Sequence, residues 1–192
     1  MGIRKRLLPL LISLAAGIVV GVAVTLAYRG SPKEASAVPV EISVLRQPPT
    51  SLPRQAVNAG LISPTEARLA ISLANIRYFV GPGSGRASRD LCLVESKTDS
   101  TATTCFGRTA LSHTAGYMFS PGPGGTIDLA GIAADAFDRA SISGVSTRIV
   151  NNVFVFRHVH ATDHLTIYGP QGQLRVDLGA MSPTRTVTQP TS

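Results

Sequence analysis

The stretch Arg148–Val159, which reads RIVNNVFVFRHV, is the most β-like run in the sequence. Val153 and Val155 alternate in it with Phe154 and Phe156, so a strand here places the valines on one face and the phenylalanines on the other. Valine and phenylalanine are among the residues that strands favour. The run therefore predicts a β-strand.

Further strand candidates lie on both sides of this run. They are Asn75–Val80, Leu91–Val94, Gly116–Phe119, Thr126–Ala133, Arg139–Ser143, His164–Tyr168 and Gln173–Leu178. Gly169-Pro170-Gln171-Gly172 joins the last two segments and is typical of a hairpin turn. No alternation of strands with long helices is seen, so a βαβ series is not expected.

Helical signals are few and short. Ser63-Pro64-Thr65-Glu66 has the pattern of a capping box with proline at the first helical position, which predicts a helix over Ala67–Ala74. Cys105–Ser112 is a second candidate, for a short helical turn. The sequence predicts a mainly β (α+β) domain over residues 63–179, with an antiparallel sheet and one or two short helices.

The N-terminus has the pattern of a membrane anchor. Leu7–Tyr28 contains no charged residue and is as long as the ~20 apolar residues that a transmembrane helix needs. Arg4, Lys5 and Arg6 precede it, and such basic clusters stay in the cytoplasm. We therefore expect a cytoplasmic segment over 1–6, a single-pass transmembrane helix over 7–28 in the cell membrane, and an extracytoplasmic remainder.

A cleaved signal sequence is the alternative to an anchor. Ala35-Ser36-Ala37 matches an A-x-A cleavage site, which would give a protein secreted after cleavage near Ala37. The apolar run is longer than the ~7–15 residues of a signal peptide, which favours the anchor. Gly17 and Gly21 form a GxxxG pattern through which two such helices could dimerise, although glycine is also simply frequent in membrane helices.

The charge of the chain supports this orientation rather than nucleic-acid binding. The formal net charge is +7, from 18 Lys and Arg against 11 Asp and Glu. Residues 1–33 hold five of the basic residues and no acidic one, so the other residues, 13 basic and 11 acidic, carry only +2. An exported and nearly neutral domain gives no support for a nucleic-acid partner. The lipid bilayer is the partner that the basic N-terminus predicts.

The segments that flank the predicted domain differ from it in composition. Residues 29–62 are rich in proline and small residues and predict a linker, apart from a short strand candidate at Val40–Leu45. Residues 180–192, which end in the Thr/Ser/Pro-rich run Pro183–Ser192, predict a disordered tail.

Cys92 and Cys105 are the only cysteines, and both lie in the part expected outside the membrane. Disulfides persist in such compartments. A reactive thiol pair usually has C-x-x-C spacing, which is absent here. We therefore expect a structural disulfide that contributes about 3 kcal/mol in the chain-entropy treatment.

The order of these motifs resembles that of small exported bacterial domains that carry an N-terminal anchor. The likeness rests on the strand with Cys92, the turn that starts at Cys105, Gly131–Asp135 at the end of one strand, and Asn151–Val155 on the next. It covers about residues 67–179. The resemblance implies location and architecture, and it brings no activity or catalytic residue.

A histidine-rich segment is the sharpest candidate for chemistry. His158, His160, Asp163 and His164 lie within seven residues, and three imidazoles with a carboxylate could bind zinc. A regular strand would put His158 and His160 on one side. The segment is similar to the H-x-H-x-D-H signature of metallo-β-lactamase-like hydrolases, but it has one residue too many before the aspartate and no later His or Cys. The alternative is a polar strand end with exposed histidines.

Other motifs give weaker signals. Gly81–Gly85 reads G-x-G-x-G and could hold a phosphate only if it opened a long helix, whereas another strand candidate comes soon after it and favours a Gly/Pro-rich turn. Arg86 and Arg89 could still make that turn bind an anion. Neither G-x-S-x-G nor S-x-x-K is present.

The sequence therefore favours a single-pass membrane protein whose extracytoplasmic domain has a non-catalytic role. That role is binding of an envelope protein or polymer, or support of an envelope complex, without a cofactor. The alternative is a metal-dependent hydrolase or metal-binding protein that uses the histidine cluster.

Overall fold

A computed structural model describes residues 40–160, 164–170, 172–178 and 189–190. In this part the chain is mainly β, with antiparallel pairing and few helices, which confirms that prediction. The strands are β1 (Arg68–Leu73), β2 (Ile76–Pro82), β3 (Asp90–Ser96), β4 (Ser100–Gly107), β5 (Gly116–Pro121), β6 (Ile127–Ile132), β7 (Arg139–Ile142), β8 (Val145–Arg148), β9 (Val153–Val159), β10 (His164–Gly169), β11 (Gly172–Asp177) and β12 (Gln189–Pro190). The helical pieces are α1 (Arg54–Asn58) and four 3₁₀ turns at Ser43–Arg46, Gly85–Ala87, Ala110–Ser112 and Pro123–Gly125.

The strands form three antiparallel sheets. The first sheet has the order β1-β2-β3-β4-β12, the second β5-β6-β9, and the third β11-β10-β7-β8. Most neighbours are also consecutive in the chain, as expected for hairpins with short turns. β9 pairs with β6 and β10 pairs with β7, so the second and third sheets alternate along the chain.

The second sheet contributes to two hydrophobic cores, and the alternation in β9 explains why. Val153 and Val155 pack in the core shared with the first sheet, whereas Phe154 and Phe156 pack in the core shared with the third sheet. The first core also contains Tyr78, Val80, Leu91, Leu93, Met118, Ala130 and Ile132. The second also contains Leu129, Ala140, Ile142, Leu165, Ile167 and Val176. The second sheet, in which β9 has two apolar faces, thus lies between the two cores.

Residues 40–62 are packed against the domain, although their composition is typical of a linker. Val44 is fully buried in the first core, and Ala56 and Ile62 are buried against Phe79 and Val94 on the other face of the first sheet. That face is apolar, so leaving it in water would cost free energy in proportion to its area. The strand candidate at 40–45 is instead the 3₁₀ turn Ser43–Arg46.

The helix predicted at Ala67–Ala74 is wrong, because Arg68–Leu73 is strand β1. It pairs antiparallel with β2 from Arg68 opposite Val80 to Leu73 opposite Ile76, with a β-bulge between Leu69 and Ile71. Pairing and burial beside β2 outweigh the local capping signal. Cys105 likewise lies in β4 rather than in a helical turn, and only Ala110–Ser112 of that predicted segment is helical.

The predicted disulfide between Cys92 and Cys105 is confirmed. The two residues lie directly opposite each other in β3 and β4. They belong to the apolar cluster that residues 52–67 help to cover. The disulfide therefore links the two strands of the β3–β4 hairpin where the N-terminal segment packs against them.

The ends of the chain are described only in small part. No described helix has the length and apolar character needed to cross a membrane, and the predicted span Leu7–Tyr28 lies outside the described residues. So do Arg4, Lys5, Arg6, Gly17, Gly21 and Ala37. In the predicted disordered tail, Gln189 and Pro190 instead pair with Thr101 and Ser100 of β4.

Candidate functional site

The outer face of the third sheet is polar and exposed, whereas its inner face closes the second core. Inward positions carry apolar side chains such as Ala140, Ile142, Leu165 and Ile167, all of which are buried. The alternate positions point away from that core, because successive residues of a strand face opposite sides. Chain segments cover the corresponding outer face of the first sheet. In the described part of the chain no such cluster covers the third sheet, so its outer face is the candidate binding surface.

Strand register brings four of these outward residues into one row. Arg148 lies opposite Arg139, Arg139 opposite Tyr168, and Tyr168 opposite Gln173. Directly opposite residues have Cβ atoms about 4.5–5.5 Å apart. Together with Asp138, they line a depression with a volume of about 950 Å³, which we name the arginine groove.

The orientation and the ion pairing of the two arginines decide what this groove can bind. The Arg139 guanidinium lies over the Tyr168 ring, 4.7 Å from its centre, and this cation–π contact fixes its orientation. Among the described residues, neither Arg139 nor Arg148 forms an ion pair, although Asp138 also lines the groove. Like charges placed directly opposite in a sheet destabilise it. An anion between the two guanidinium groups would remove that repulsion.

Backbone contacts hold one end of the groove in place. The Asp138 amide donates to the Tyr168 carbonyl at 2.9 Å, and the Asp138 carbonyl accepts from the Ile149 amide at 2.8 Å. Gly169 lets the Ala136 carbonyl approach β10 closely, because a Cβ at position 169 would lie 1.9 Å from that carbonyl oxygen. Paired strands therefore carry Arg139, Arg148, Tyr168 and Gln173, and residues next to those strands complete the lining.

The predicted metal-binding residues occupy separate places. His158 ends the regular part of β9, His160 follows that strand, and His164 begins β10. Asp163 lies outside the described residues. Within the described ranges, no three His, Cys, Asp or Glu side chains are grouped as metal ligands. The zinc site as predicted, with Asp163 in it, stays a prediction.

His158 departs from the regular strand on which the predicted common face depended. Ile127 pairs with Val159 and Leu129 with Phe156, so β9 has one extra residue and forms a bulge. His158 has φ of 53°, in the left-handed region that is uncommon for residues other than glycine. Asp128 stabilises the bulge: its Oδ1 accepts the His158 amide at 2.9 Å and lies 3.3 Å from the ring Nδ1.

The predicted glycine-rich segment is a turn rather than a helix start. β2 extends to Pro82, and Gly83 allows the close approach of the Ala87 carbonyl, which a Cβ would meet at 2.1 Å. Only the 3₁₀ turn Gly85–Ala87 comes after it before β3. Arg89 is exposed, and the side chain of Arg86 lies outside the description. The anion site at this pair stays a prediction.

The sequence patterns did not predict a polar cluster beside Tyr78 in which two buried carboxylates meet more exposed basic side chains. Its members are Tyr78, Glu95, Lys97, Asp128, Arg157 and His158. The side chains of Glu95 and Asp128 are both only 10% exposed. Asp128, a charged residue inside the predicted strand Thr126–Ala133, is the signal that could have revealed the cluster.

The two carboxylates of the polar cluster bind other members of the cluster. Glu95 accepts the Tyr78 hydroxyl at 2.9 Å and pairs with Lys97 at 2.8 Å, while Asp128 pairs with Arg157 at 2.8 Å. Burial first, and then the Glu95 charge, raise the pKa of Tyr78 well above its ordinary value, so its hydroxyl remains a donor. Both carboxylates therefore already have hydrogen-bonding and charged partners within the cluster.

A second polar network ties the N-terminal segment to the domain. The Asn152 Oδ1 accepts the Val44 amide at 3.0 Å, and its Nδ2 donates to the Ala133 carbonyl at 3.0 Å and to Asp135 at 2.6 Å. Partial burial raises the pKa of Asp135, but hydrogen bonds from the Ser43 amide and from Asn152 outweigh it and lower the pKa overall. This network is structural.

No model of a known protein family matches the chain, and searches of curated proteins and of solved structures likewise find no match. The resemblance to anchored exported bacterial domains therefore stays a prediction.

Proposed function

We propose that the chain is a single-pass membrane protein whose extracytoplasmic domain binds an anionic ligand in the arginine groove. The role is non-catalytic. The anchor rests on the apolar run Leu7–Tyr28 and the basic residues before it, and the export of the domain is consistent with its disulfide.

The opposed pair Arg139 and Arg148 carries the proposal. Both lack a carboxylate partner in the described part of the chain, and both line the same depression. A guanidinium group is planar and donates two parallel hydrogen bonds to a carboxylate or a phosphate. Asp138 and Gln173 add acceptor and donor groups that suit hydroxyls beside the anionic group.

Binding of small anions to the full chain tests the groove. Galacturonate and inorganic phosphate serve as probes, with the dissociation constant measured by calorimetry. Loss of a charge-assisted hydrogen bond costs about 1.5–3 kcal/mol, so Arg139→Ala and Arg148→Ala should each weaken binding by roughly 10- to 100-fold. Arg54→Ala, which removes an exposed arginine of α1, is the matched control and should change affinity less than 2-fold, by about 0.4 kcal/mol or less.

An equal loss of affinity in all three variants would contradict a specific site and indicate general charge attraction. No binding of either anion to the unchanged protein would contradict the proposal itself. For the anchor, the mass of the native protein should equal that of the full chain in the membrane fraction, and a mature protein that begins at Val38 would contradict it.

A further inference from the structure

The arginine groove continues into a second row of polar residues on the same face. Ser146 lies opposite Ser141, Ser141 opposite Thr166, and Thr166 opposite Arg175. These positions share the outward parity of Arg148, Arg139, Tyr168 and Gln173. The outer face thus carries two adjacent rows of four side chains each.

The size of this face exceeds that of one small anion. Four strands at about 4.8 Å spacing span about 14 Å across the sheet, and the two rows lie about 7 Å apart along the strands. The three arginines are distributed over it, with Arg148 and Arg139 at one side and Arg175 at the far end of the second row. A single sugar ring cannot contact all three, whereas a chain of such rings can.

The side-chain chemistry fits an acidic saccharide. Serine, threonine and glutamine donate and accept hydrogen bonds, as the hydroxyl groups of a glycan require. Arg175 lies 3.8 Å from Asp177 and 3.2 Å from the His164 Nδ1. Its side chain is 64% exposed, and such an exposed ion pair has small energetic value, so the guanidinium stays accessible to a ligand.

A lipid interface and an added peptide strand fit this face less well than a saccharide does. Large apolar side chains exposed in the described ranges are Val57, Leu73, Val145 and Val150, and none belongs to the two rows. Insertion into a lipid interface draws on exposed apolar residues, and a peptide that adds to a sheet needs a free strand edge. The edges of this sheet are β8 and β11, and a strand added to either edge would lie beside the two rows rather than over Arg139 and Tyr168 on the interior strands β7 and β10.

We propose that the outer face of the third sheet binds a linear polysaccharide that bears carboxylate groups, with the arginine groove holding one acidic unit and Arg175 a later one. This inference rests on the proposed function and names the ligand class of that site. Three arginines spread over a face of hydroxyl and amide side chains suit carboxylate groups carried at intervals along a glycan chain.

Oligogalacturonates of increasing length test the inference on the full chain. The octamer should bind at least 30-fold more tightly than the monomer. Arg175→Ala should weaken octamer binding at least 10-fold while changing monomer binding less than 2-fold. The fully methyl-esterified octamer, which has the same backbone without charge, should bind at least 30-fold more weakly than the acidic octamer.

The outcomes separate this inference from the proposed function. Monomer binding that depends on Arg148, together with an octamer insensitive to Arg175→Ala, would overturn the polysaccharide and leave the small-anion site intact. Equal effects of Arg54→Ala and Arg175→Ala on the octamer would overturn it as general polyanion attraction. Tighter Arg175-dependent binding of poly-glutamate or of phosphatidylglycerol vesicles than of the octamer would overturn the choice of occupant.

Discussion

Replacement of Asn152 tests whether residues 40–62 belong to the folded domain. Asn152→Gly removes a side chain that is 5% exposed and that hydrogen-bonds the buried Val44 amide and the buried Ala133 carbonyl. Each of these groups left without a partner costs about 1–3 kcal/mol, so the loss is about 2–6 kcal/mol. Glycine suits the φ of 67° at this position, so the variant adds no backbone strain.

Urea unfolding of the full chain, monitored by tyrosine fluorescence, measures the free energy of unfolding. Limited trypsin digestion supplies a second readout, because release of the N-terminal segment should expose the bonds after Arg46 and Arg54. Asn75→Gly, in the exposed turn between β1 and β2, is the control and should cost less than about 1 kcal/mol. A loss below about 0.5 kcal/mol for Asn152→Gly, as is typical of a surface substitution, with no new cleavage, would refute the reasoning.

Three further perturbations have expected outcomes. Gly169→Ala should lower the free energy of unfolding by about 1–3 kcal/mol, because its Cβ would meet the Ala136 carbonyl oxygen at 1.9 Å; urea unfolding measures it. Because the pKa of Asp135 is lowered from 3.8, its contribution to stability should be full above pH 3.8 and lost as the pH falls through the folded value, and Asp135→Asn should remove that part of the pH dependence in acid titration. Replacing Cys92 and Cys105 by alanine should cost about 3 kcal/mol by urea unfolding.

Each of these has a control or a contradicting result. Gly107→Ala meets no atom within 4 Å and should change stability by less than about 0.5 kcal/mol, so an equal loss there would contradict the steric explanation. An Asp135→Asn protein that keeps the full acid dependence would show that other carboxylates cause it. Unchanged stability of the double alanine variant would mean that the disulfide constrains the unfolded chain too little to matter.

The strands of this domain could be predicted where local pattern and tertiary packing agree. Residues 153–156 alternate between two apolar types, and the structure gives each type its own core. At Ala67–Ala74 the local capping signal favoured a helix, yet the neighbouring strand β2 supplied hydrogen bonds and burial that only a strand could use. Residues 40–62 looked like a linker because the apolar face that they cover is formed by distant strands.

The candidate site could not be predicted, because it depends on the register of four strands. Arg139 and Arg148 become opposite only through the β7–β8 hairpin, and Tyr168 joins them through pairing of β10 with β7. The histidine motif drew attention to His158, but its conformation is set by Asp128, which lies 30 residues earlier. The spacing of residues along the chain predicts neither the strand register at the groove nor the contact between Asp128 and His158.

Hydrogen–deuterium exchange of the full chain, with and without the octagalacturonate, tests the central claim most directly. The proposed binding face predicts that added protection is largest in peptides that cover β7, β8, β10 and β11, and that Arg139→Ala and Arg148→Ala each reduce it. Protection that is largest in the first sheet, or that is unchanged in both variants, would contradict the assignment of the third sheet as the binding face.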